Sequence, residues 1–346
     1  MSEETNPAER NASIDCLRIF SALFVIVNHT IEELFLSYTT PADKTWWVSL
    51  IWFWMSKTAV PVFVMISGYL LLNRRDSFKK SVERIARTVL VIVLFSGVYY
   101  LNNCYRDPSQ VISVWGFLRS IWGNSITNAY WYLYMYLGLM VMLPILQILS
   151  QAMDANAYKY LFLCYAVLVG GIPLLANFVP ELTMHSNFNI PIFNVAVVLF
   201  MAGSYFRRYG FMKKWVCLTG YILTLALNVV MSYTMQVRDG DGAFMTLDNY
   251  QWLPLILEGF FIFQLLMQVP IEGRLGKVIS WAGAQTFGIY LLSDLLIVYT
   301  RFIFDHLYEA GVHLFISRLL WEVSIFIIGL AITAILRLIP PMKRLI

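Results

Sequence analysis

Charge is what this 346-residue chain has least of: Asp, Glu, Lys and Arg make up 13% of it, against 59% apolar residues and a mean hydropathy of +0.65. That balance excludes a soluble domain of this size. Cysteine is scarce too. The four present, Cys16, Cys104, Cys164 and Cys217, show no paired spacing, so neither a disulfide nor a metal site is expected. No low-complexity linker divides the chain, no internal repeat is apparent, and no small-residue cleavage pattern follows the first apolar segment. The chain therefore reads as one unit whose first helix is retained. The formal charge of +4 sits mostly in loops beside apolar segments, where topology accounts for it and no nucleic-acid partner is implied.

What the chain has in abundance is long apolar windows. They fall at about 14–35, 47–72, 85–101, 129–149, 158–176, 190–206, 215–235, 249–268, 279–300 and 313–338, each near the length that crosses hydrocarbon. The expectation is an all-α, polytopic membrane protein with about ten transmembrane helices, a single domain over 1–346 with a short polar tail at 1–13. With the N-terminus placed inside, 18 of the 25 basic residues fall on inner segments, so both termini are expected in the cytoplasm, with the lipid bilayer of the cell inner membrane as the obligatory partner.

The stretch SIDCLRIFSALFVIVNHT, residues 13–30, organises the reading. As a helix it gathers Asp15, Arg18, Ser21, Asn28, His29, Glu32 and Glu33 within roughly 80° of Arg18, with apolar residues opposite. Arg18 and His29 lie about three turns and about 16 Å apart on that face. Ala22 and Val25 between them are small enough to leave a track. Further charges fall inside apolar windows: Lys57, Glu258, Asp294, Arg318 and Glu322. Charge at membrane depth is expensive and marks function. The competing reading is an ion-paired lattice, Lys57 with Glu258 and Arg318 with Glu322. His29 is preferred as the reactive group, being an imidazole able to exchange a proton near neutral pH on the same face as Arg18.

A basic cluster, NRRDSFKKSVERIART at 73–88, opens the third window. Arg84 and Arg87, one turn apart, form a fork suited to phosphates. Topogenic charge and attraction to anionic lipid account for the cluster equally well.

These residues resemble a known family, the integral-membrane acyltransferases called acyltransferase family 3. Arg18 and His29 match its arginine, ten residues, histidine pattern; TAVPVFVMISGYLLL (58–72) is similar to its second-helix stretch, through Ser67, Gly68 and Tyr69. Arg84 and Arg87 match its arginine, two residues, arginine motif, YWYLYMYLGLMVMLPIL (130–146) its fourth helix, and QTFGIYLLSD (285–294) its late glycine-tyrosine helix. The resemblance implies transfer of an acyl group, usually acetyl from cytoplasmic acetyl-CoA, to a hydroxyl of an envelope glycan or lipid-linked sugar, with no metal. It implies His29 as the catalytic residue, Arg18, Arg84 and Arg87 on the donor side, and Ser67 and Gly68 in the motif lining the core. Ala129 and Ser293–Asp294 stand where many relatives carry histidines.

Together these readings predict that acyl-CoA phosphates meet Arg18, Arg84 and Arg87, and that His29 takes the proton of the acceptor hydroxyl as it attacks the thioester. Asp294 or Glu258 is expected to hold the imidazole, and Asn28 or Ser67 to serve the oxyanion. The alternative is a proton-coupled transporter or flippase built on the same buried charges. Homo-oligomerisation stays open.

Overall fold

The computed structural model describes residues 11–30, 44–123, 126–177, 179–182, 191–240 and 242–346. Glu32 and Glu33 and most of the polar tail lie outside the described residues. Among those described the chain is helical, without strands. The helices are α1 (Ala12–Thr30), α2 (Lys44–Leu71), α3 (Phe78–Arg106), α4 (Val114–Trp122), α5 (Asn128–Ala152), α6 (Ala155–Ala176), α7 (Val195–Tyr209), α8 (Lys214–Asp239), α9 (Leu253–Met267), α10 (Gly273–Gly283), α11 (Thr286–Glu309), α12 (Leu314–Leu336) and α13 (Pro340–Leu345).

Eight helices among the described residues are long and apolar enough to cross a membrane: α1, α2, α3, α5, α6, α8, α11 and α12. The other two expected spans become α7 and α9, each 15 residues. At about 1.5 Å per residue each is about 22 Å long, short of a hydrocarbon core of about 30 Å. Both lie largely inside the bundle, ten of the fifteen α7 residues being buried.

Local chemistry sets the boundaries. Ser77 caps α3 by accepting from the Lys80 amide, and Asp154 caps α6 by accepting from the Ala157 amide. Pro61 has no N–H to give, and its ring excludes the carbonyl of Lys57 from a regular turn, so α2 breaks between Lys57 and Ala59. The break sets Lys57 at mid-bundle.

Helix α1 is central, packing on α2, α9, α10, α11 and α12. The closest crossing is between α2 and α7. There Gly68 lies against the backbone of Phe200 and Gly203 against that of Met65; a Cβ on Gly68 would stand 1.8 Å from the Phe200 carbonyl oxygen. Small residues allow such contact where lipid gives helices no hydrophobic reason to associate.

Asp76, between α2 and α3, ties the basic end together. Its carboxylate pairs with Arg84 and with Lys80 at 2.9 Å, and accepts from Gln147 of α5 at 3.0 Å. Burial disfavours its charge, but the hydrogen bonds from Arg84, Lys80 and Gln147 and the charge of Arg84 outweigh that and hold the carboxyl well below the usual carboxylate range. A lowered folded-state value means that the clamp contributes stability above the unfolded-state pKa of about 4, and loses it only as pH falls through the lowered value. Asp76→Asn is therefore expected to cost about 1–3 kcal/mol, equally at pH 5 and pH 8, in thermal unfolding of the purified protein. A loss at pH 8 that vanishes at pH 5 would refute the assignment.

Candidate active site

Two cavities approach each other along the seam between α3, α5 and α11. The first, about 530 Å³, opens at the basic end. Arg18, Arg84, Arg87, Arg337, Lys343 and Arg344 line it, and among the described residues no Asp or Glu does. Each arginine predicted for this end already has a protein partner. Arg18 bonds Asp15 at 2.9 Å, Arg84 pairs with Asp76, and Arg87 donates to the Leu345 carbonyl at 2.9 Å. A guanidinium carries five N–H donors, so these contacts aim the three groups while leaving donors for a ligand. Deeper in, the cavity becomes apolar and aromatic, with Phe63, Leu133, Tyr132, Phe287 and Tyr290, and Ser67 on its wall.

The second cavity, about 600 Å³, lies around the far ends of α1 and α3 and contains His29 and Asp294. His29 Nδ1 stands 3.8 Å from Asp294 Oδ1, with both side chains about one-quarter exposed or less. The other Asp294 oxygen accepts from the hydroxyl of Thr127, just before α5, and Asn103 holds that segment by donating to the Ile126 carbonyl at 3.1 Å. Lys57, at the break in α2, pairs with Asp248 at 2.7 Å and lies over the Phe53 ring. Trp131 and Tyr250 stack on one wall, ring centres 5.2 Å apart.

A belt of tyrosines separates the cavities. Tyr290 donates to the Ala129 carbonyl at 2.6 Å, while Tyr130 and Tyr99 both donate to the Leu291 carbonyl, at 3.0 and 3.1 Å. Tyr132 meets Tyr290 edge to face, centres 5.7 Å apart. The partition is one turn thick: Tyr290 lines the basic cavity and Asp294, four residues on, the other. Ala129 is buried within it, and the Ser293 hydroxyl donates to the Tyr290 carbonyl at 2.9 Å.

The structure thus brings Arg18, Arg84, Arg87 and Ser67 together at one cavity and His29, Asn28 and Asp294 at the other. It does not bring in Glu258, which is fully buried and accepts from Asn228 at 2.7 Å, in a chain continued by Trp252. Glu258 lines neither cavity, because the face of α9 that carries it is turned to α8. The expected Lys57–Glu258 pair is replaced by Lys57–Asp248. Glu322 accepts from Thr30 and Trp52, at 2.8 and 3.4 Å, and Arg318 lies over Phe304 and Trp321. Gly68 also lies off the cavity wall; neighbouring helix residues point about 100° apart, so placing Ser67 on the wall turns Gly68 into the α7 crossing. Nor does the track follow Ala22 and Val25. Both are buried in packing, and the depth of the basic cavity is walled by residues of α2, α5 and α11.

Sequence reasoning missed Thr127, Asp248, Tyr250 and the tyrosine belt as site elements. Among the described residues no group of three or more His, Cys, Asp or Glu side chains could hold a metal ion. Neither the curated proteins nor the solved structures gave a match to the chain. A family model described as an acyltransferase domain matches residues 11–338, nearly the whole chain. The helical membrane architecture that carries Arg18, His29 and the paired arginines in one frame is accordingly that of the acyltransferase 3 family, and the chain belongs to it.

Proposed function

We propose that the protein is a membrane-embedded O-acyltransferase that moves an acetyl group from cytoplasmic acetyl-CoA to a hydroxyl of an envelope glycan or lipid-linked sugar. The observation that carries this reading is the meeting, one helical turn apart, of a cavity with six cationic side chains in its lining and a cavity holding His29 and Asp294. The first suits the phosphates of CoA. Its apolar depth suits the pantetheine arm.

In the second, Asp294 stands on the Nδ1 side of His29 and leaves Nε2 for the acceptor. His29 takes the hydroxyl proton as the oxygen attacks the thioester carbonyl, the C–S bond breaks, and CoA leaves as the thiol with a proton returned from the imidazolium. Asp294, held by Thr127, steadies the charged imidazole through that step. Orientation follows from the same reading: the cationic rim faces the cytoplasm, and His29 lies toward the opposite leaflet.

Replacing Arg84 and Arg87 together by Ala is expected to raise the KM for acetyl-CoA about tenfold or more, with acceptor KM unchanged, in a radiolabel transfer assay on reconstituted protein. An unchanged donor KM would return the cluster to a topogenic role. The second reading, a proton-coupled transporter or flippase, draws on cavities that open at opposite ends around a partition. It predicts pH-driven flux with no need for CoA. Transfer of label from acetyl-CoA by the purified protein rejects it.

A further inference from the structure

The wall of the His29 cavity away from the dyad combines two features. Trp131 and Tyr250 stack ring against ring, interplanar angle 29°. In the same cavity the buried Lys57 side chain, 8% exposed, pairs with Asp248 at 2.7 Å. We propose that Trp131, Tyr250, Lys57 and Asp248 form a subsite for the ring of a neutral pyranose, the part of the acceptor that carries the hydroxyl to be acylated. The assignment rests on the acyltransferase reading for the word acceptor, and on geometry alone for the ring.

The chemistry is specific at three points. A pyranose has a C–H face that lies on an aromatic plane, and the stacked pair supplies aromatic surface to the same cavity that Lys57 and Asp248 line. Its neighbouring hydroxyls are each donor and acceptor. An ammonium with three N–H donors, only one of them used on Asp248, beside a carboxylate that only accepts, reads such a pair of hydroxyls in a fixed sense. The charges on the lining cancel. Lys57 and Arg106 stand against Asp248 and Asp294, so the lining offers neither an anionic ring nor an amine a net opposite charge. Four asparagines, Asn28, Asn102, Asn103 and Asn128, supply the rest of the polar lining, as in a site for uncharged hydroxyl groups.

The test measures binding apart from turnover. Protein in nanodiscs is titrated with methyl glycosides of glucose, galactose, mannose and N-acetylglucosamine, followed by saturation-transfer NMR, with acetyl-CoA cleavage measured in parallel. Wild type is expected to bind at least one of the four through its ring protons. Trp131→Ala and Lys57→Gln are expected to weaken that binding about tenfold or more, and Trp131→Phe to retain most of it. Trp131→Phe, which keeps an aromatic ring, separates loss of the aromatic surface from loss of the fold. Binding of none of the four by wild type, undiminished affinity in Trp131→Ala and Lys57→Gln, or equal affinity for methyl glucuronide overturns the subsite. Ring binding without acetyl-CoA cleavage would sink the acyltransferase reading and leave the subsite standing; cleavage with unaltered sugar affinity in the variants would do the reverse.

Discussion

Replacing His29 by Ala is expected to lower acetyl transfer by about 10²–10⁴-fold, the usual worth of a positioned proton acceptor, while leaving the affinity for the donor within about twofold of wild type. The split follows from the geometry. His29 lines the cavity with Asp294, whereas the cations that would meet CoA line the other, across the tyrosine belt. Removing the imidazole deletes the base without touching Arg18, Arg84 or Arg87. The measurement is single-turnover transfer from labelled acetyl-CoA, alongside equilibrium binding of CoA to the same preparation. Normal transfer by a well-inserted variant would end the scheme; a parallel loss of CoA binding would mean that the two cavities are one site.

Gly68→Ala should have the second large effect, on assembly of the bundle rather than on chemistry. The added methyl would sit 1.8 Å from the Phe200 carbonyl oxygen, 2.7 Å from its carbonyl carbon and 2.9 Å from its Cα. All three are backbone atoms, so no rotamer change relieves the clash, and α2 and α7 must part. Gly203 meets the backbone of Met65 in the same way one turn along, which leaves no slack for a shift. The cost expected is about 3 kcal/mol or more, at the upper end for overpacking a tight interface. It would appear as a lowered unfolding midpoint in detergent, with reduced yield of inserted protein. Ser67→Ala, one residue away on the cavity wall, should leave that midpoint nearly unchanged. A Gly68→Ala protein of wild-type stability with a raised donor KM would restore the donor-side role that the family resemblance implied for Gly68.

Which parts of this were legible in the sequence follows from what each pattern encodes. The spacing of Arg18 and His29 fixed a helix face, and the structure puts those side chains at the two cavities as the three intervening turns require. The paired Arg84 and Arg87 were legible for the same reason. Helical arithmetic gives a direction, however, and not the neighbour met there. Ala22 and Val25 are small, but α1 packs on five other helices, so the small side chains fill contacts and leave no track. Asp248 escaped notice as the partner of Lys57 because it lies 191 residues away, just before α9. Only folding brings the connection between α8 and α9 back over the break that Pro61 makes in α2. Glu258 illustrates the converse: a buried carboxylate is visible in sequence, but Asn228, which answers it, sits on α8 as an unremarked polar residue in an apolar run.

The tyrosine belt has a consequence for the cell as an electrical object. A protein hollowed from both faces of a bilayer is a standing threat to the ion gradients that the bilayer maintains. Here the hydroxyls of Tyr290, Tyr130 and Tyr99 are all committed to main-chain carbonyls of Ala129 and Leu291, and their rings close on one another. On the proposed transferase reading, this one-turn layer is all that lies between the donor cavity and the acceptor cavity, so a group could pass from one to the other without the two ever joining into an open channel.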